Sequence, residues 1–181
     1  MTPEDHAEKA ASDLAGIVNR IAASIERELS PGDVADLRRL SPGDPSAPAF
    51  WRMAGTLLAD ELRGEGSARS ESERRWAAIL SGMASTRGLH RPGRRAGEAL
   101  AEAGYSELRF VRLLRARDVQ LLGELRGAAR YLDAKAVAFD WRDLVLLVLS
   151  EGRTDEEEVR RRIARSYFQQ LSREERQGES K

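Results

Sequence analysis

Three features of the chain predict an all-α fold, a helical bundle of about eight or nine helices. Apolar residues recur at three- and four-residue spacing along most of its length, and proline and glycine break those stripes at short intervals. No stretch alternates with period two for long enough to make a strand. The length of 181 residues suits a single domain, 1–181, with lobes at 1–90 and 91–171 and a frayed, charged tail at 172–181.

Thr2-Pro3-Glu4-Asp5 supplies an N-cap, a first-turn proline and an acidic first turn, which suit the positive end of a helix dipole. Leu14, Ile17, Val18, Ile21, Ile25 and Leu29 carry this first helix to Ser30-Pro31-Gly32. Asp33 is placed to cap a short second helix bearing Val34, Leu37 and Leu40. Residues 41–49 contain three prolines and read as loop. Phe50, Trp51, Met53, Leu57, Leu58 and Leu62 form the third stripe, closed by Gly64 and Gly66. Ser70 and Glu73 have capping-box spacing ahead of Trp76, Ile79, Leu80 and Met83.

A basic loop follows at 86–93, then a short helix through Ala96, Leu100 and Ala103, with Gly104 suited to a left-handed C-cap. Ser106 is expected to cap a helix bearing Phe110, Leu113 and Leu114. Val119, Leu122, Leu125, Ala129 and Leu132 line the next, where Gly123 and Gly127 are expected to admit a close neighbour. Asp140 caps Trp141–Leu149, and its run Leu144–Leu149 is the longest apolar stretch of the chain. Thr154 and Glu157 make a second capping box, before Val159, Ile163, Tyr167, Phe168 and Leu171. Trp51, Trp76 and Trp141 sit among apolar helical neighbours and read as core.

Composition excludes several chemistries. With no cysteine there is no disulfide, zinc–thiolate site, iron–sulfur cluster or thiol nucleophile. No apolar run is long enough to cross a membrane, and the polar, acidic start does not read as a signal peptide, so a cytoplasmic protein is expected. His6 and His90 are the two histidines, too few and too far apart for a metal pair on one helix. No phosphate-cradling glycine loop ends in Lys-Ser or Lys-Thr, and the serines lack a nucleophile-elbow setting. Asp155 to Glu158 is a dense carboxylate run, but at a helix start it suits the dipole and forward pairing to Arg160, Arg161 and Arg162. Neither an enzyme, a metal site nor a cofactor is expected.

The charge is neutral overall, 30 basic against 30 acidic residues, but unevenly placed. Residues 86–132 carry ten basic and five acidic side chains, whereas 1–85 carry ten and fourteen. All basic residues except Lys9, Lys135 and Lys181 are arginine, which is both a mark of a GC-rich genome and the better fork for phosphate. At about 100° per residue, Arg109, Arg112 and Arg115 fall within one arc of their helix, with Phe110, Leu113, Leu114 and Glu107 on the other side. Like charges at this spacing repel by a few tenths of a kcal/mol, and a phosphate backbone would relieve that repulsion. A plain charged face, or a partner's acidic patch, accounts for the same arc. Arg87, His90, Arg91, Arg94 and Arg95 add cations on the preceding loop, and Arg38-Arg39 and Arg74-Arg75 are smaller basic pairs. Zero net charge argues for weak, sequence-independent backbone contact that strengthens only inside a larger assembly.

Six segments in order carry a more specific likeness. They are Pro48-Ala49-Phe50-Trp51-Arg52, Glu73-Arg74-Arg75-Trp76-Ala77, and Gly93-Arg94-Arg95-Ala96-Gly97-Glu98-Ala99-Leu100-Ala101. Next come Tyr105-Ser106-Glu107-Leu108-Arg109-Phe110 with Arg112-Leu113-Leu114-Arg115-Ala116, then Asp140-Trp141, then Ile163-Ala164-Arg165-Ser166-Tyr167-Phe168. From roughly residue 35 to 168 the chain resembles the CasB family, the small subunit of the type I-E CRISPR surveillance complex Cascade.

That resemblance implies an all-helical, two-lobed, non-catalytic subunit of an antiviral complex. Its partners would be guide RNA, target DNA, the large subunit, the repeated backbone subunit and a second copy of itself, with no membrane. It would hold the guide–target duplex region and the displaced strand so that the R-loop persists. Arg38, Arg39, Arg74, Arg91, Arg94, Arg109, Arg115 and Arg117 would contact phosphate, with Arg112 on the same arc. The loop from Arg91 to Arg95 matches the family only approximately, because its length varies. The competing reading is a helical, protein-only scaffold or adaptor whose arginines face acidic partners.

Overall fold

The computed structural model describes residues 3–41, 45–62 and 64–179, with 3–12 and 178–179 as backbone alone. Among these lie α1 (Pro3–Arg27), α2 (Pro31–Arg39), α3 (Pro48–Leu57), α4 (Gly66–Ser85), α5 (Ala96–Glu102), α6 (Glu107–Arg115), α7 (Asp118–Ala134), α8 (Trp141–Leu149) and α9 (Glu156–Glu179). The fold is all-α, as the apolar periodicity predicts. Extended pairing among the described residues is limited to one parallel bridge, His90 with Phe139. There Arg91 N–H donates to Phe139 O, Phe139 N–H to Leu89 O and Asp140 N–H to Arg94 O, which fastens the basic loop to the start of α8. No described helix is long and apolar enough to cross a membrane.

One apolar cluster takes residues from every helix, from Leu14 and Ile21 of α1 to Ile163 and Tyr167 of α9. The closest-packed helix pair is α5 against α9. It closes because position 97 is glycine: a Cβ there would collide with the Ile163 carbonyl and lie 2.9 Å from Tyr167 N. Tyr167 then stacks on Phe110 at 3.8 Å between ring centroids and donates its hydroxyl to Tyr105 O, tying α6 to the same seam. Gly82 serves α4 and α8 likewise, since a Cβ would sit 2.5 Å from the Trp141 ring. The Trp141 indole N–H finds buried Thr86 Oγ1 at 2.8 Å, so its one polar atom is satisfied. The close approaches thus fall at Gly82 and Gly97. Gly123 and Gly127 face open space, correcting the expectation of a close neighbour there.

Several caps differ from the sequence reading. Ser30, not Asp33, is the N-cap of α2: its Oγ accepts Asp33 N–H at 3.1 Å, with Pro31 in the first turn. The Ser70–Glu73 box does not form, because α4 has already begun at Gly66. Ser70 instead bonds back to Gly66 O and Glu73 pairs with Arg69. In the box read at Thr154 and Glu157, Glu156 performs the reach-back, accepting Gly152 N–H at 2.8 Å. Ser106 occupies the N-cap of α6 without a side-chain bond. Asp140 caps α8 as expected, accepting Arg142 N–H at 2.9 Å. Gly104, at φ +77°, closes α5 with the paired bonds Tyr105 N–H to Leu100 O and Gly104 N–H to Ala101 O, a Schellman arrangement. The cap read at Thr2 lies outside the described residues, and α9 extends to Glu179.

Trp76 and Trp141 are buried, but Trp51 is 46% exposed and leaves the core. On α3 the inward positions are Ala49, Phe50, Met53 and Ala54, and Trp51 lies about 100° off Phe50, touching it edge-on at 5.1 Å. Val119 and Phe168 are exposed for the same reason, one step outside the buried arcs of α7 and α9.

Candidate nucleic-acid interface

The α6 face is built by its own amphipathicity. Phe110 and Leu113 are buried, and Arg109, Arg112 and Arg115 point outward. Arg112 Nε pairs with Glu124 Oε1 of α7 at 2.7 Å, so a carboxylate from the neighbouring helix enters the arc that α6 itself keeps free of them. Arg109 lies over the Tyr131 ring at 5.9 Å, a cation–π distance, and Tyr131 is held by its hydroxyl bond to Gly104 O. Arg115 makes no side-chain bond among the described residues.

Arg117 turns back on the end of α6. Its Nη1 reaches the carbonyls of Leu114, Arg115 and Ala116, and Nε pairs with Glu156 at 3.0 Å. Buried Arg160 reaches the Leu114 and Ala116 carbonyls from α9. Two guanidinium groups therefore satisfy the C-terminal carbonyls of α6 and favour its negative dipole end. The Gly152 amide, with Arg160 and Arg117 adding charge, holds the Glu156 carboxyl below its usual range.

Arg38 Nε donates to Ala84 O at 2.8 Å, fastening α2 to the end of α4, while Arg39 is 76% exposed beside Asp36. Arg126 of α7, which the sequence reading left aside, bonds the carbonyls of both Arg38 and Leu40 at 2.9 Å. Thus α7 carries α6 on one side and clasps the end of α2 on the other. In the second pair, Arg75 turns inward to Glu71 and Glu151, and Arg74 stays half exposed with Glu71 at 3.3 Å.

On the loop, Arg94 pairs with Glu102, and Arg91 is exposed with no side-chain partner among the described residues. His90 is not the surface group its loop position implied. Its Nδ1 accepts Trp141 N–H at 3.2 Å, so Nε2 carries the hydrogen and donates to Asn19 Oδ1 at 2.8 Å. Burial pushes its pKa down, against the opposing charge of Asp140.

The nine arginines thus lie on separate parts of the fold: α2 (Arg38, Arg39), α4 (Arg74), the loop (Arg91, Arg94), and α6 with its exit (Arg109, Arg112, Arg115, Arg117). A further gathering, Arg95, Arg142, Arg162, Arg165 and Arg173, lines two adjoining clefts between α5, α8 and α9. It was hidden in sequence because its members come from three separated segments.

Residues 33–168 match the family described as CRISPR-associated protein Cse2. The chain belongs to the Cse2 family. Membership implies a place in a CRISPR Cascade complex, in a family of structural subunits. The fold agrees with solved CasB structures. The protein from Thermus thermophilus is 23% identical, with TM-score 0.63 over 93% of this chain and 99% of that one. CasB from M. ruber is 21% identical, with TM-score 0.66 over 88% and 96%. CasB from Thermobifida fusca is 18% identical, with TM-score 0.62 over 87% and 96%. Among curated proteins no sequence matches this Cse2-family chain.

Proposed function

We propose that this Cse2-family chain is a non-catalytic, cytoplasmic subunit of an RNA-guided surveillance complex in antiviral defence. It grips nucleic-acid backbone without reading sequence and stabilises the R-loop, both the guide–target duplex region and the displaced strand. Its partners are guide RNA, target DNA, the large and repeated backbone subunits and a second copy of itself. The observation that carries this reading is the α6 face, where Arg109 and Arg115 stand exposed without a carboxylate partner among the described residues. Arg91 likewise has no carboxylate partner among the described residues. Arg39, Arg74, Arg94, Arg112 and Arg117 exchange their carboxylates for phosphate on binding. The Arg39 and Arg74 pairs are exposed on both sides, and an exposed ion pair is worth roughly 0–1 kcal/mol, so exchange there costs little. Arg38 spends one of its five donors on Ala84, and the others have no partner among the described residues.

Modest contacts suffice for this task. Replacing a DNA duplex by an RNA–DNA heteroduplex is nearly balanced, so backbone contacts tip it. The test is binding of mixed-sequence DNA by the chain and by the reconstituted complex across salt. Affinity is expected to fall steeply between about 50 and 200 mM, equally for every sequence, and Arg109→Glu with Arg115→Glu is expected to weaken it. A protein-only scaffold is the second reading, favoured by the ion pairs that already occupy five of the nine arginines. It requires that binding and its salt dependence be unaffected by those substitutions.

A further inference from the structure

We propose that the groove between α9 and the α5–α8 edge is a second phosphate track, one that takes the backbone of a single polynucleotide strand. The inference rests on the reading above and adds a surface that lies outside the nine arginines. Two adjoining clefts of about 150 and 230 Å³ share Arg95 and Arg162 as common walls. Arg95, Arg165 and Arg173 are exposed and Arg142 half-buried, and none of the four has a side-chain partner among the described residues.

Arg162 is the more telling residue. Its Nε and one Nη are buried without a hydrogen bond, and Asp143 Oδ1 lies 3.7 Å away, too far to supply one. Donors withdrawn from water and left unpaired are costly, and because the Arg162 side chain is 30% exposed and lines both clefts, an outward turn brings those donors to an anion's oxygens there. The facing carboxylates are largely spent on backbone. Asp140 accepts Gly93 N–H at 2.8 Å and Arg142 N–H at 2.9 Å, and Asp143 accepts Ala96 N–H at 3.1 Å. Glu98 is the remaining one.

Geometry favours a chain of anions over a single ion. Arg162, Arg165, Gln169 and Arg173 fall within about 80° of one another around α9 and extend about 16 Å along it. One strand of a duplex carries about five phosphates over that length. Chemistry favours a nucleic acid over an acidic protein segment. Protein interfaces have an apolar or aromatic centre, whereas every side chain lining these clefts is charged or polar, Gly93 apart.

The test uses the full chain and the reconstituted complex with Arg95→Glu, Arg165→Glu and Arg173→Glu combined, all exposed positions, with circular dichroism to verify the fold. The probes are a labelled mixed-sequence DNA strand, inorganic phosphate and a polyglutamate peptide. The triple variant is expected to bind the strand at least about tenfold more weakly, with a salt slope shallower by about two. Single Arg162→Gln, which keeps donors but removes charge, is expected to give a smaller loss. Unchanged strand binding in the triple variant overturns the proposal, as does saturation of the groove by inorganic phosphate or polyglutamate at concentrations where the strand does not compete. The Arg109→Glu, Arg115→Glu variant run in parallel separates the failures. Binding lost there but kept in the triple variant sinks this groove alone, and binding kept in both sinks the broader function as well.

Discussion

Arg112 Nε lies 2.7 Å from Glu124 Oε1, so the middle cation of the α6 face is held by a carboxylate from α7. Arg112 is still 57% exposed, which places this pair in the weak, solvent-screened class. Glu124 therefore acts as a competitor for phosphate. Glu124→Gln is expected to tighten DNA binding by up to about fivefold, the equivalent of ~1 kcal/mol, while shifting the melting temperature little. Binding titrations at low salt and a thermal melt check both parts.

Gly97→Ala is expected to destabilise the protein by about 1–3 kcal/mol or more, the usual cost of forcing volume into a packed seam. The obstruction is main chain, the Ile163 carbonyl and Tyr167 amide, and so cannot rotate away. Denaturant unfolding gives the number. Gly123→Ala, in open space on α7, is expected to be neutral or mildly stabilising by the helix propensity of alanine.

Trp76→Ala is expected to cost about 3–5 kcal/mol, because the ring is 1% exposed and its removal leaves a cavity. Trp51→Ala is expected to cost about 1 kcal/mol or less, as a largely exposed side chain should. Equal losses in chemical denaturation would contradict the assignment of Trp51 to the surface.

His90 sets a pH dependence whose sign follows from its burial. Its folded pKa is depressed below the ordinary 6.5, so the unfolded chain binds the proton more readily, and stability is lost as pH falls through 6.5 toward the folded value. Protonation also abolishes the Nδ1 acceptor that holds Trp141 N–H. Melting temperatures from pH 7.5 downward are expected to drop in the native protein and to drop less in His90→Asn.

Helices were legible wherever an apolar stripe ran at three- and four-residue spacing, and the outward arc of Arg109, Arg112 and Arg115 came from the same periodicity. Single-helix reasoning stopped at the helix boundary. It could not see Glu124 arriving from α7, nor Arg117 and Arg160 folding back on the α6 carbonyls. Nor could it gather Arg95, Arg142 and Arg162 across three elements. For Trp51 helix phase outweighs residue type: a tryptophan one step off the buried arc stays outside. Gly82 and Gly97 do not differ from Gly123 and Gly127 within their own helices, because a glycine's close neighbour is set by the partner helix.

The lifetime of the R-loop in the reconstituted complex is the most direct measurement. With Arg109→Glu and Arg115→Glu it is expected to shorten by roughly tenfold, to the same degree for every target sequence, as loss of backbone contacts demands. A lifetime equal to that of the native complex would contradict a backbone-gripping role for the α6 face.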